Sequence, residues 1–210
     1  MKKTLTKKTK GKKQSIPSQQ NMLSNIYLQG DLQDPVDLLR QQGVYYITGE
    51  IDEDTLWIQQ DILHKQLDSY WNKEIKLIIN SGGGYSHITW SFVDLLDFVR
   101  MDITTLGMGM IASGAAILLA AGTKGKRIIS KNAMVLIHAP YEEGHQVGNI
   151  HQFKPTFDGL KEEHERNVRF WTSHSVLHEQ DVRIKLLGPT DIYITPIQAI
   201  EYGIVDAIME

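Results

Sequence analysis

Residues 106–122 read LGMGMIASGAAILLAAG, and they join the end of an apolar strand to the start of an apolar helix. The only hydroxyl in the stretch, Ser113, falls at the junction and is followed by Gly114. Small neighbours let another backbone segment approach closely, and the Gly114 amide would face negative charge that develops beside the hydroxyl. The stretch is too short to span a membrane. Two roles stay open here: an exposed nucleophile, or small residues that let a buried helix pack.

The composition is that of a soluble protein with one folded domain, because 41% of the 210 residues are hydrophobic and 22% are charged. A net charge of -3 argues against a nucleic-acid surface over the whole protein. The absence of cysteine excludes disulfides, thiolate metal ligands and a cysteine nucleophile. It also fits a reducing compartment, so we expect a cytoplasmic location.

The N-terminal residues 1–30 differ from the rest in composition. They are lysine-rich, contain no acidic residue and show no apolar periodicity. They also lack the apolar core of a signal peptide. We predict a mobile tail over residues 1–30 and a single domain over residues 31–210.

Strands and helices alternate through the middle of the chain. Apolar and β-branched runs predict strands at residues 44–48, 75–79, 103–108, 127–130 and 134–138. Helical spacing predicts that Leu56, Leu63, Leu67 and Tyr70 form a buried face. The alternation indicates an α/β fold with a largely parallel sheet.

A polar segment and a long charged helix follow Pro140. The helix is predicted over residues 156–176, and its pattern is typical of an extension that leaves the core to meet another subunit. Thr195 and Pro196 indicate the start of a last helix, which Gly203 ends.

A glycine loop, Asn80-Ser81-Gly82-Gly83-Gly84, follows the second predicted strand. Successive glycines allow positive φ and leave backbone amides exposed. The loop has neither the Lys-Ser/Thr ending of a P-loop nor the spaced glycines of a dinucleotide fingerprint, so phosphate binding is not expected.

Five motifs occur in one order: GEI at 49–51, INSGGG at 79–84, GMIASGAAILLAAGTKGKR at 109–127, LIHAP at 136–140 and AIEYGIVDAI at 199–208. Together they resemble ClpP, the proteolytic subunit of the ATP-dependent Clp proteases, over about three quarters of the chain. The resemblance implies the ClpP/crotonase-like fold of repeated β-β-α units, with a protruding handle segment at about 141–178. It also implies assembly into a heptameric ring, or two stacked rings.

The resemblance carries a catalytic triad onto Ser113, His138 and Asp191. It further implies oxyanion donors at the amides of Gly84 and Gly114. A segment that pairs with an extended peptide would consist of Tyr85, Ser86, His87 and Ile88. In such a triad, a neutral imidazole takes the serine proton and the aspartate orients the imidazole.

The function implied is that of a serine endopeptidase that cleaves unfolded or extended polypeptides inside a ring-shaped chamber. No metal or cofactor is expected, and ATP would be used only by an AAA+ Clp ATPase partner. Two alternatives stay open. One is a catalytically silent or regulatory ring subunit, and the other is a crotonase-type acyl-CoA enzyme, which does not need the triad.

Overall fold

The computed structural model describes residues 34–141 and 149–209, and these contain every element discussed below. The predicted mobile tail at residues 1–30 and most of the polar segment after Pro140 lie outside the described residues. The larger of two compact units is Leu39–Glu210.

The helices and strands follow the predicted alternation. The helices are α1 (Pro35–Gln41), α2 (Leu56–Leu67), α3 (Ser86–Phe98), α4 (Gly114–Ala120), α5 (Ile150–His174), α6 (Glu179–Lys185) and α7 (Pro196–Glu201). The strands are β1 (Val44–Ile51), β2 (Ile75–Gly84), β3 (Ile103–Ala112), β4 (Arg127–Ser130), β5 (Met134–Ile137), β6 (Ile192–Ile194) and β7 (Ala207–Met209). A short 3-10 turn, Glu53–Thr55, precedes α2.

One mixed sheet organises the described part of the chain. Its main path runs β1-β2-β3-β4-β7, and every neighbouring pair on this path is parallel. The first half of β3 pairs with β4 and its last three residues pair with β5, which in turn pairs antiparallel with β6. The predicted α/β class with a largely parallel sheet is therefore confirmed.

The core lies between this sheet and the helices that cross it. All seven residues of α4 are buried, which explains why its sequence is apolar on every side. Strand β2 alternates buried and less buried positions along its whole length, and Ile75, Leu77 and Ile79 are fully buried. Strands β2 and β3 extend further than the apolar runs predict, because their glycine-containing ends still pair with neighbouring strands.

The predicted buried face of α2 is confirmed only at Leu56, which packs against the core. Leu63 and Leu67 are exposed, as is Tyr70 beyond the helix end, and the helix instead buries Ile58, Ile62 and Lys65. The Lys65 ammonium donates to Asp61 Oδ2 at 2.8 Å and lies 4.9 Å from the Trp71 ring centroid. A paired, aromatic-shielded ammonium lets the lysine stem be buried. The helix has apolar residues on two sides, so periodicity alone did not identify the buried one.

The long helix α5 begins at Ile150, six residues earlier than predicted, and ends at His174. Its first turn is stabilised by a capping box: the Asn149 side chain accepts a hydrogen bond from the Gln152 backbone amide, and the Gln152 side chain accepts one from the Asn149 backbone amide. Pro155 lies inside the helix, where it removes one backbone donor without ending it. The helix starts earlier than its charged and apolar pattern indicates, because the cap at Asn149 begins it ahead of Pro155.

Two of the sequence motifs meet at a buried ion pair. Arg127, at the start of β4, is 5% exposed and forms two hydrogen bonds to the Asp206 carboxylate, at 2.7 and 3.0 Å. Burial raises the pKa of Asp206, but its bonds to the Arg127 side chain and backbone outweigh burial and hold the pKa below the ordinary value. Arg127 also donates to the carbonyl oxygen of His174 at 3.0 Å, so the pair joins the sheet to the end of α5.

Candidate active site

Ser113 lies at the turn between β3 and α4 in a backbone conformation that L-residues rarely adopt. Its φ is 55° and its ψ is -124°, and it is the only non-glycine residue with positive φ in the described ranges. A hydrogen bond from the Ser113 amide to Leu136 O, at 2.9 Å, stabilises this turn. A strained serine on a strand-to-helix turn is the geometry of a nucleophile elbow.

The glycine loop packs directly against this turn through Gly83, which the sequence did not single out. A Cβ on Gly83 would lie 2.7 Å from both Ala112 O and Ser113 Cβ, and 3.0 Å from the Gly114 amide nitrogen. Gly83 also has a φ of 94°. Only glycine meets both the steric and the conformational requirement here.

Two further contacts explain the rest of the loop. A Cβ on Gly84 would lie 2.3 Å from Ile51 O, so Gly84 allows close approach to β1. Ser81 is buried, donates to Gly49 O at 2.5 Å and accepts from the Gly83 amide at 3.0 Å. The GEI and INSGGG motifs are therefore joined by one serine hydroxyl.

Strand register brings His138 and Asp191 to the same edge of the sheet. Ala112 pairs with Leu136 across β3 and β5, so both Ser113 and His138 follow the carboxyl ends of parallel strands. Ile137 pairs with Ile192 at the end of the β5–β6 ladder, and His138 directly follows Ile137 while Asp191 directly precedes Ile192. Both residues therefore leave the ladder at the edge of the sheet where Ser113 lies.

The three side chains are not joined by hydrogen bonds. The His138 Nδ1–H donates to Ala139 O at 2.7 Å, and the His138 ring lies 5.1 Å from the Tyr141 ring. Asp191 is exposed, and it makes no hydrogen bond within residues 34–141 and 149–209. Catalytic hydrogen bonds are often long or poorly aligned before substrate binds.

One cleft of about 1490 Å³ contains all three residues. Gly83, Gly84 and Gly114 form its floor beside Ser113, and residues of α5 form another wall. Three of the four residues predicted to bind peptide, Tyr85, Ser86 and His87, are exposed and line this cleft. The fourth, Ile88, is buried in the core. Ser86, His87 and Ile88 also form the first turn of α3, so of the four residues only Tyr85 has the extended backbone that pairing with a peptide strand needs.

The α5 wall contributes side chains that the sequence did not assign to the site. They are Thr156, Leu160, Glu163, Asn167 and Trp171. The charged pattern of this helix predicts an extension from the core, and it does not show that the helix faces the glycine loop.

In the part of the chain that the structure describes, no helix combines the length and apolarity needed to cross a membrane. Within the same residues, no group of three or more His, Cys, Asp or Glu side chains is arranged to hold a metal ion.

Together these features define an α/β protein whose cleft, at the carboxyl edge of a parallel sheet, contains a strained serine, the site geometry that serine hydrolases use. The chain belongs to the Clp protease family, whose family model matches residues 29–210. This membership also supports the ClpP-like fold that the motifs predicted.

Individual relatives carry the same family name. The chain is 31% identical over 196 residues to the chloroplastic ATP-dependent Clp protease proteolytic subunit 4 of Arabidopsis thaliana. This match covers 87% of the chain and 61% of the length of that relative. It is 31% identical over 185 residues to proteolytic subunit 1 of Bifidobacterium longum, with coverage of 85% and 75%. It is 32% identical over 178 residues to proteolytic subunit 4 of Streptomyces avermitilis, with coverage of 84% and 76%.

Proposed function

We propose that this chain is a serine endopeptidase, the proteolytic subunit of a Clp-like protease that hydrolyses peptide bonds in extended or unfolded polypeptides. The observation that carries the proposal is the strained turn at Ser113, which lies in one cleft with His138 and Asp191. The names of the relatives support the same activity.

Ser113 Oγ would attack the carbonyl carbon of the scissile bond while His138 Nε2 takes the hydroxyl proton. The imidazole would then return that proton to the leaving amine, and water would hydrolyse the ester on Ser113. The bond from His138 Nδ1–H to Ala139 O already selects the required tautomer, because it leaves the lone pair on Nε2.

Asp191 would stabilise the imidazolium that forms on His138. Ala139 O can fix the tautomer, but a neutral carbonyl compensates a positive charge less than a carboxylate does. Because His138 directly follows β5 and Asp191 directly precedes the paired strand β6, rotation of the two side chains would bring the carboxylate toward the imidazole.

The amides of Gly84 and Gly114 would donate to the oxyanion of the tetrahedral intermediate. Each such donor contributes roughly 3–4 kcal/mol of transition-state stabilisation in measured enzymes. Gly83 would act indirectly, since its close contact with Ser113 and Gly114 fixes the distance between the two donors.

The proposed assembly also rests on membership of the Clp protease family. We propose a heptameric ring, single or stacked in pairs, that encloses the clefts and receives polypeptide from an AAA+ Clp ATPase. ATP would be used by that partner alone, no cofactor or metal would be needed in this subunit, and the complex would be cytoplasmic.

One observation favours a second function, that of a catalytically silent or regulatory ring subunit. Asp191 is exposed and forms no hydrogen bond to His138 in the described structure. A subunit that keeps this arrangement in its assembly would have a weakly activated serine.

Cleavage of a fluorogenic extended peptide by the purified assembly, beside Ser113→Ala, distinguishes these functions. Turnover by the parent and none by the variant would support the peptidase. Turnover retained by Ser113→Ala would show that Ser113 is not the catalytic nucleophile. No turnover by a folded, assembled parent, with or without a Clp ATPase and ATP, would favour the silent subunit.

A further inference from the structure

Glu163, on the cleft-facing side of α5, connects that helix to the start of α3. Its Oε1 accepts a hydrogen bond from Ser86 Oγ and a second from Trp90 Nε1 at 2.6 Å. These partners lie 77 and 73 residues earlier in the chain, so the contact is purely tertiary. No other hydrogen bond joins α3 to α5 within the described ranges.

The carboxylate itself is held from the other side. Its Oε2 lies 3.2 Å from Arg166 Nη1, and the Arg166 guanidinium lies 5.4 Å from the Trp90 ring centroid. Asn167 Nδ2 donates to the Glu163 backbone oxygen at 2.9 Å. Glu163 is thus oriented by its neighbours, and its side chain is only 20% exposed.

Ser86 begins α3, and Tyr85 directly before it still has an extended backbone. The junction between the glycine loop and α3 is fixed to β1 on one side, because the Tyr85 amide donates to Ile51 O at 2.8 Å. On the other side, the bond from Ser86 to Glu163 fixes it to α5. A peptide that adds as a strand needs such a rigid edge, since main-chain hydrogen bonds supply most of its affinity.

We propose that Glu163 is a positioning residue for peptide binding, which holds Ser86 and Trp90 at the start of α3 so that the glycine loop and Tyr85, directly before this helix, present a fixed edge to an extended polypeptide. The inference rests on the proposed peptidase function. Without Glu163, the Trp90 indole N–H, in a side chain 9% exposed, has lost its acceptor. A buried unpaired donor drives local rearrangement of the segment that contains it.

This role predicts a specific kinetic signature. Loss of the fixed edge weakens binding of the peptide and of its transition state equally, so KM rises while kcat changes little. Reaction of Ser113 with a small fluorophosphonate does not use the edge and keeps its rate. A merely structural role would lower the labelling rate and the melting temperature together.

The experiment compares Glu163→Leu, Glu163→Gln and the control Glu162→Leu, which makes the same change at the exposed neighbouring position. Cleavage kinetics and fluorophosphonate labelling rates are measured for each, with melting temperatures. Peptide Kd is measured by fluorescence anisotropy in a Ser113→Ala background, so that binding is observed even without turnover.

Glu163→Leu should raise KM and Kd about tenfold, with labelling unchanged, because the hydrogen bonds from Ser86 and Trp90 to the carboxylate are lost. Glu163→Gln should stay within about threefold of the parent, since its amide oxygen still accepts from both donors. Glu162→Leu should match the parent.

An unchanged Kd in Glu163→Leu would overturn the proposal. So would a Glu163→Gln variant as impaired as Glu163→Leu, or labelling and melting temperature that fall together with affinity. A parent that is neither labelled nor able to cleave would contradict the peptidase function, whereas the Kd comparison would still decide the role of Glu163.

Discussion

Replacing Gly83 by alanine should disable the site, because the structure leaves no space for a side chain there. The new Cβ would lie 2.7 Å from Ala112 O and from Ser113 Cβ, and both are on the backbone turn that carries the nucleophile. An L-residue at the Gly83 φ of 94° costs about 1–2 kcal/mol. Relief of the overlap costs about 1–3 kcal/mol more.

The expected loss of stability is therefore about 2–5 kcal/mol, or a fall in Tm of at least about 4 °C for a domain of this size. Relief of the overlap must displace either the glycine loop or Ser113. Misplacement of a catalytic group by about 1 Å reduces activity about 100-fold. Fluorophosphonate labelling and thermal unfolding measure the two effects separately.

Gly82→Ala is the matched control. Gly82 is adjacent in the chain, but a Cβ there meets no atom within 4 Å. This variant should keep the parent's labelling rate and Tm. If Gly83→Ala behaved like Gly82→Ala in both measurements, the assignment of Gly83 to the support of the Ser113 turn would be refuted.

Three further predictions concern the same framework. Ser81→Ala removes the hydroxyl that bonds Gly49 O and the loop amide, and should lower the free energy of unfolding by about 1–3 kcal/mol in denaturant titration; an unchanged midpoint would contradict the link. Asp206→Asn breaks the ion pair with buried Arg127 and should cost about 3 kcal/mol at about pH 7. Because folding lowers the pKa of Asp206 from about 3.8, this difference should be constant above that pH and shrink as the pH falls through the folded-state pKa; a difference that does not shrink from about pH 5 down to the lowest pH at which both proteins fold would exclude the carboxylate as its source. Ser113→Gly should be about 1–2 kcal/mol more stable than Ser113→Ala, because glycine relieves the strain at φ 55°, and equal stability would show that the turn is not strained.

The sequence predicted the alternation of strands and helices and the position of Ser113, because both depend on local patterns. Apolar β-branched runs locate strands, and small residues around one hydroxyl mark a tight strand-to-helix turn. His138 and Asp191 could be assigned only through the resemblance to a family. Their approach depends on the pairing of β5 with β3 and β6, which no local pattern specifies.

The errors arose where tertiary contacts decide the outcome. Which side of α2 is buried depends on the Asp61–Lys65 contact and on Trp71, and periodicity could not weigh these against Leu63 and Leu67. The early start of α5 depends on a capping box that outweighs Pro155.

The site shows the same contrast between features that local patterns predict and features that tertiary contacts decide. The three glycines predicted an exposed backbone, but their separate roles depend on what approaches each one, which is Ser113 for Gly83 and Ile51 for Gly84. The bond from Glu163 to Ser86 spans 77 residues, so no sequence window contains it.

The central claim is that Ser113 is an activated nucleophile, and intact-protein mass after incubation with a fluorophosphonate tests it most directly. The account predicts one added label on the parent and none on Ser113→Ala. Absence of label on a folded, assembled parent, or label retained by Ser113→Ala, would contradict it.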